Sequence, residues 1–279
     1  MTMQLDFTTT AHVFNPFLLT SALIPKPRAA FCQWFEDFGR RLAPADLGNV
    51  PLYVVDAALA GPGDTLGFAG KSLDLAYQEQ IGQRWKGRGA CFAVDLQQVQ
   101  DQADIETPNE EARKAGFIRQ ALALALHEFA HVLSQAKLFS QGVTQSAARQ
   151  SATRCLQTPD EDTPGGDVAW VGHDGQFLRT VAHVEHRARA LLRSPVQAYA
   201  VAGLLYGLSK GEAYRRALAG EPAKLAGKPL AEIMQTRPPQ SFIDLWQADL
   251  RAWRERHEPL TKSQALAMEQ GQTLFSEMR

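Results

Sequence analysis

Cysteine is scarce in this chain of 279 residues, and the three present, Cys32, Cys91 and Cys155, are scattered, odd in number and without a C-x-x-C pair. That pattern excludes a disulfide framework and a zinc ribbon. Charge of one sign is lacking too: 29 Lys and Arg stand against 30 Asp and Glu, a net charge of −1. Such a balance offers no electropositive footing for generic nucleic-acid binding. Long apolar runs are missing as well. The first apolar patch, Pro16 to Ile24, is too short to span a bilayer, and the opening residues Met1 to Phe7 carry no basic segment of a secretory leader. The expectation is a cytoplasmic location with no membrane partner. No internal repeat or low-complexity tract interrupts the chain, so a repeat architecture is excluded.

What is present is an ordinary supply of core-forming residues, 45% hydrophobic against 21% charged, enough to bury a substantial interior. Ala29 to Leu42 has the spacing of an amphipathic helix. Pro51 to Ala57 holds an unbroken apolar run, Leu52, Tyr53, Val54 and Val55, which suits a strand covered on both faces, and Gly61-Pro62-Gly63-Asp64 then marks a turn. Phe92, Val94 and Leu96 alternate with Ala93, Asp95 and Gln97, the period of a strand with one face on a core. Thr107-Pro108-Asn109-Glu110 combines a capping threonine, a proline at the first helical position and a glutamate at the third, predicting a helix from about Pro108 to Lys137. The stretch Thr158 to Asp167, rich in breakers and acid, predicts a long loop.

Inside that helix lies the most informative segment. From Ala121 to Leu133 the only polar residues are His127, Glu128 and His131, an H-E-x-x-H motif in a wholly apolar setting. Residues four apart share one helix face, so two imidazoles can grip one metal ion while the carboxylate between them reaches water beside it. A helix apolar all round must be buried, and buried His and Glu need partners that a divalent cation supplies at once. The chemistry implied is metal-assisted hydrolysis.

A catalytic zinc takes three protein ligands and leaves one position open, so a third must lie elsewhere. His173 is the preferred candidate. It precedes an apolar-periodic run in which Phe177, Val181, Val184, Ala188 and Leu191 share one face, with Asp174 as the expected N-cap. Glu185, on the flank of that stripe, is the alternative ligand. His183 and His186 fall away from the stripe and are expected as solvated surface residues. Tyr199, Tyr206, His183 and Arg179 are candidates for an oxyanion donor, and Asp174 or Glu185 for a carboxylate that orients a ligand imidazole.

His127-Glu128-Phe129-Ala130-His131 and His173-Asp174-Gly175-Gln176-Phe177 together resemble the zincin metallopeptidases, the second element being similar to the H-G-x-x-F/W segment of SprT-like members, with Asp174 where those have glycine. The resemblance runs from about Leu52 to Leu192. It implies an α+β fold, a zincin-like mixed sheet packed on a buried active-site helix, with His127, His131 and His173 as zinc ligands, Glu128 as catalytic base and a protein or peptide as substrate. Position 137, where metzincins would place a further histidine, is Lys137. Neither Cys91 nor Cys155 has the surroundings of a peptide deformylase ligand. The contrasting expectation is a zincin-like binding module that holds metal without turnover.

On this reading residues 1–193 form the metallopeptidase domain and residues 194–279 a helical extension packed on it. Ser194-Pro195-Val196-Gln197 is a capping box predicting a helix with Tyr199, Leu204, Leu205 and Tyr206, and Ile243, Trp246, Leu250 and Trp253 keep helical spacing until Pro259.

Overall fold

The computed structural model of the protein describes residues 28–58, 66–70, 72–106, 109–134, 173–198 and 208–252. Helix α1 (Arg28–Leu42) buries Phe31, Cys32, Phe35, Phe38 and Leu42, the spacing that keeps one helical face on a core. A short α2 (Pro44–Leu47) follows, then β1 (Leu52–Asp56) and β2 (Gly67–Ala69). Two short helices, α3 (Leu73–Ala76) and α4 (Gln78–Ile81), lead to β3 (Ala90–Val94). The long helices are α5 (Leu96–Glu106), α6 (Glu110–Ser134) and α7 (Gly175–Leu192). Beyond them lie α8 (Leu208–Ala217), α9 (Glu221–Lys224), α10 (Leu230–Ile233) and α11 (240–252). The protein is thus α+β, mainly helical with one small mixed sheet. No helix among the described residues is long and apolar enough to cross a membrane.

The sheet runs β1-β3-β2, with β1 parallel to β3 from Leu52↔Ala90 to Asp56↔Val94, and β2 antiparallel to β3 from Gly67↔Val94 to Ala69↔Phe92. One face, Leu52, Val54, Phe92 and Val94, joins the main core with α1 and α6. Phe35 of α1 sets its ring edge-on to both Phe92 (5.6 Å) and Phe129 (6.0 Å), pinning sheet and helix together. The other face, Tyr53, Val55 and Cys91, is covered by Ile81 and the half-buried Leu73, Tyr77 and Trp85. Double coverage of β1 accords with its unbroken apolar run.

The period-two reading of Phe92 to Gln97 fails in two respects. All five residues of β3 are buried, because it is the central strand with a layer on each side. Leu96 and Gln97 already belong to α5, whose first turn is capped by Asp95 accepting the Gln98 N–H at 2.9 Å.

Helix α6 likewise starts later than its sequence signal suggests. Asn109 is the cap, its Oδ1 accepting the N–H groups of Glu111 (2.9 Å) and Ala112 (3.1 Å). Residues 107 and 108, the predicted end at Lys137, the turn 61–64, the loop 158–167 and Cys155 lie outside the described residues. From Gly116 to Val132 nearly the whole circumference of α6 is buried, as its apolar composition demands.

The C-terminal helices share the main core through Tyr214, Leu218, Leu230, Ile233, Phe242, Trp246 and Leu250. Asp46 of α2 accepts the Leu230 and Ala231 N–H groups (3.0 and 2.9 Å) at the start of α10. The helix expected from the capping box at Ser194 starts later, with Ala198 its first helical residue among those described. Arg193 ends α7 in the left-handed region (φ 49°), and residues 195–197 are non-helical. Arg189 holds that irregular stretch by donating to the Val196 carbonyl (2.9 and 2.7 Å). Tyr199, Leu204, Leu205, Tyr206, Trp253 and Pro259 are outside the described residues.

Candidate metal centre

Two elements bring the site together. Helix α6 presents His127 and His131 from one face, and His173 sits just before α7, whose N-cap Asp174 accepts the Phe177 N–H at 2.8 Å. That cap fixes the point where the chain turns into α7 and therefore where His173 stands. The three Nε2 atoms converge: His127 to His173 3.1 Å, His131 to His173 3.1 Å, His131 to His127 3.3 Å.

Three neutral imidazoles cannot account for this triangle by hydrogen bonding alone, since each Nε2 either carries a proton or accepts one and a closed ring of three leaves an unmatched pair. A metal ion resolves it. Ligand nitrogens about 2.0–2.1 Å from a tetrahedral zinc lie about 3.3–3.4 Å from one another, close to the spacing found. The donor set therefore fits a divalent ion, and the cluster could hold one.

The surroundings favour neutral ligands. Burial, and then the neighbouring imidazoles, hold His127 well below the ordinary histidine range and His131 down to about 3. Phe177, fully buried, touches all three rings. Glu128 lies beside the ligands on α6, and burial alone pushes its carboxyl up to about 8. Among the described residues it has no hydrogen bond or ion pair. Its side chain instead meets β2 at Gly67, where a Cβ would lie 2.5 Å from Glu128 Oε1. Sequence reasoning missed Gly67. A glycine inside the short run Leu66-Gly67-Phe68-Ala69 is a signal of close backbone approach that could have found it.

Glu185 is not part of the cluster. Its carboxylate pairs with Arg189 at 2.6 Å on the next turn of α7. Neither proposed orienting carboxylate is bonded to His127 or His131. Asp174 is committed to the helix start, its carboxyl raised by burial to about 6 against the N–H bonds that lower it. Nδ1 of His127 and Nδ1 of His131 are buried without an acceptor among the described residues.

His183 overturns its expected place on the surface. It is 1% exposed, facing Glu221 of α9 with Nε2 3.6 Å from the carboxylate, because α9 packs against α7. His186 is half-buried. Arg179 is no oxyanion donor in this arrangement: it is buried, its guanidinium bound to Glu221 (Nε to Oε1, 2.8 Å) and to the carbonyl (2.9 Å) and hydroxyl (2.9 Å) of Thr236. Leu191, expected on the buried stripe, is 40% exposed at the last turn of α7. No protein-family model, curated protein or solved structure matches the chain.

Proposed function

We propose that the protein is a zinc-dependent metallopeptidase of zincin type, in which His127, His131 and His173 hold the ion and Glu128 is the catalytic base. The observation that carries this reading is the Nε2 triangle beside a buried carboxylate that has no partner among the described residues. A purely structural ion would close its coordination with a fourth protein ligand, and no fourth His, Cys, Asp or Glu joins the cluster among the described residues.

Bound zinc supplies a Lewis acid that polarises a carbonyl and makes water acidic near neutral pH. The protein does the rest. Glu128, next to His127 on α6 and buried beside the three histidines, is placed to accept a proton from the attacking water and return it to the leaving amine. Burial keeps His127 and His131 neutral and so ready to ligate.

A peptide substrate is favoured by the sheet. On β1 the outer edge is occupied, since Glu36 accepts the Val54 N–H (3.0 Å) and Arg84 pairs with Glu36 and donates to the Val54 carbonyl (3.3 Å). Among the described strands β2 pairs only with β3, and it runs alongside Glu128. An extended peptide can add to such an edge by main-chain hydrogen bonds.

Incubation of the zinc-loaded protein with a mixed peptide library tests this. Cleavage is expected, lost on chelation, restored by zinc and abolished in Glu128→Gln with zinc retained. Stoichiometric zinc without cleavage would instead establish a metal-holding binding module.

A further inference from the structure

Gly67 is the first residue of β2 and pairs with Val94 across the antiparallel register. Its backbone does not call for glycine: among the described residues the glycines with positive φ are Gly48, Gly82, Gly87 and Gly220, and Gly67 is not one of them. Glycine within a strand is ordinarily a weak choice, costing chain entropy and offering nothing to pack. The reason for it here is steric. A Cβ at this position would lie 2.5 Å from Oε1, 2.7 Å from Cδ and 2.7 Å from Cγ of Glu128. Because Cγ is among the three, turning the carboxylate about its last bond does not clear the overlap. The whole side chain would have to swing from its Cβ. The helix below cannot yield in its place, since Phe129 and Ala130 beside Glu128 are fully buried in the core.

We infer that Gly67 is a positioning residue for Glu128: its bare Cα is the wall against which the carboxylate rests, so the sheet, through β2, sets where that carboxylate stands relative to the three histidines. This rests on the reading of Glu128 as the base. It adds a requirement that the histidine cluster does not reveal, because Gly67 touches none of the ligands through a side chain and is separated from the motif by 60 positions in the chain. Ala69, two residues on and half-buried against the same core, shows that β2 tolerates a methyl group on this face where Glu128 is not opposite.

The test is a double-mutant cycle in the full-length, metal-free protein, read as the midpoint of thermal unfolding. Gly67→Ala is expected to lower the midpoint by several degrees in the wild-type background and to leave it unchanged or raise it in Glu128→Ala, where the Cβ has room and alanine restricts the unfolded chain. Equal changes in both backgrounds would overturn the inference. If Gly67→Ala alone does not fold, the double variant should; failure of both counts against it. With zinc bound and a cleaved peptide in hand, Gly67→Ala should retain stoichiometric zinc and lose about 100-fold in kcat with KM little changed, the effect of a displaced base. Loss of zinc, or a rise in KM alone, would refute the positioning role. If the wild type cleaves nothing, the peptidase reading fails while the unfolding cycle still decides whether Gly67 sets the place of Glu128.

Discussion

The ring of Phe177 lies parallel to the imidazole of His131, centroids 4.0 Å apart and planes 20° from coincidence, while its edge directions meet His127 (5.0 Å, 67°) and His173 (4.9 Å, 88°). One aromatic side chain therefore bounds the whole ligand set. It stands four residues after His173, one turn into α7, so the element that delivers the third histidine also delivers the surface on which all three rings are oriented. With Nδ1 of His127 and of His131 meeting no acceptor among the described residues, the packing of Phe177 is what orients these rings, the task that hydrogen bonds perform at metal sites in general.

Phe177→Leu keeps an apolar side chain at this position but removes the flat surface. Metal affinity is expected to fall about 10-fold or more, the scale of losing a group that orients ligands, with little loss of secondary structure. Competition against a chelator of known affinity measures it. Phe177→Ala should in addition cost about 3–5 kcal/mol of stability through the cavity left in the core.

His173→Ala should lower metal affinity by orders of magnitude, since it removes one of three converging nitrogens. Glu185→Gln should leave the metal in place, because Glu185 faces Arg189 and not the cluster. Elemental analysis after dialysis ranks the two; a full site in His173→Ala and an empty one in Glu185→Gln would reverse the assignment.

The contrast between these residues shows what the sequence can carry. Helical period and apolar context placed α1, α6 and α7 and the side chains of His127, Glu128 and His131, because each depends on neighbours within a turn or two. The convergence of His173 was legible only as a candidate, since its distance from α6 is set by how two helices pack. The surface place expected of His183 and the oxyanion role offered to Arg179 fail for the same reason: their partners, Glu221 and Thr236, belong to later segments whose arrival over α7 has no local signature. The helix start expected at Ser194 and the strand expected to run past Val94 shifted where a local pattern lost to tertiary context: Arg189 holds Val196 in irregular backbone ahead of Ala198, and Asp95 starts a helix.

The Arg179–Glu221 pair joins α7 to α9 with both side chains almost wholly buried. Burial alone would raise Glu221, yet contacts with His183 and Arg179 hold its carboxyl below the ordinary range, so it stays ionised opposite the guanidinium. Glu221→Ala should strand the Arg179 charge and cost about 3–5 kcal/mol, whereas exchanging both for apolar residues should cost less. Denaturant unfolding of the single and double variants checks the order. Equal losses would show that the pair contributes packing only.

In the metal-free protein the stability of Glu128→Gln relative to wild type should depend on pH in one direction. Glu128 has an unfolded pKa near 4.5 and a folded value of about 8, so between these values the native state holds a proton that the unfolded chain releases. Its contribution is fully present below about pH 4.5 and is lost as pH rises through about 8. Glutamine has no such proton. The advantage of Glu128→Gln should therefore grow from pH 5 to pH 8 and level off above it. On the acid side both proteins should weaken together: His131, about 3 when folded and 6.5 when unfolded, takes its proton first in the unfolded chain, so stability falls as pH drops from 6.5 towards 3. Asp174, raised from 3.8 to about 6, adds a loss as pH rises between those values that opposes the His131 term there, is common to both proteins and cancels from the difference. Urea midpoints of the two proteins in chelator across this range decide the matter. A difference independent of pH would mean that Glu128 is not held in a dry site.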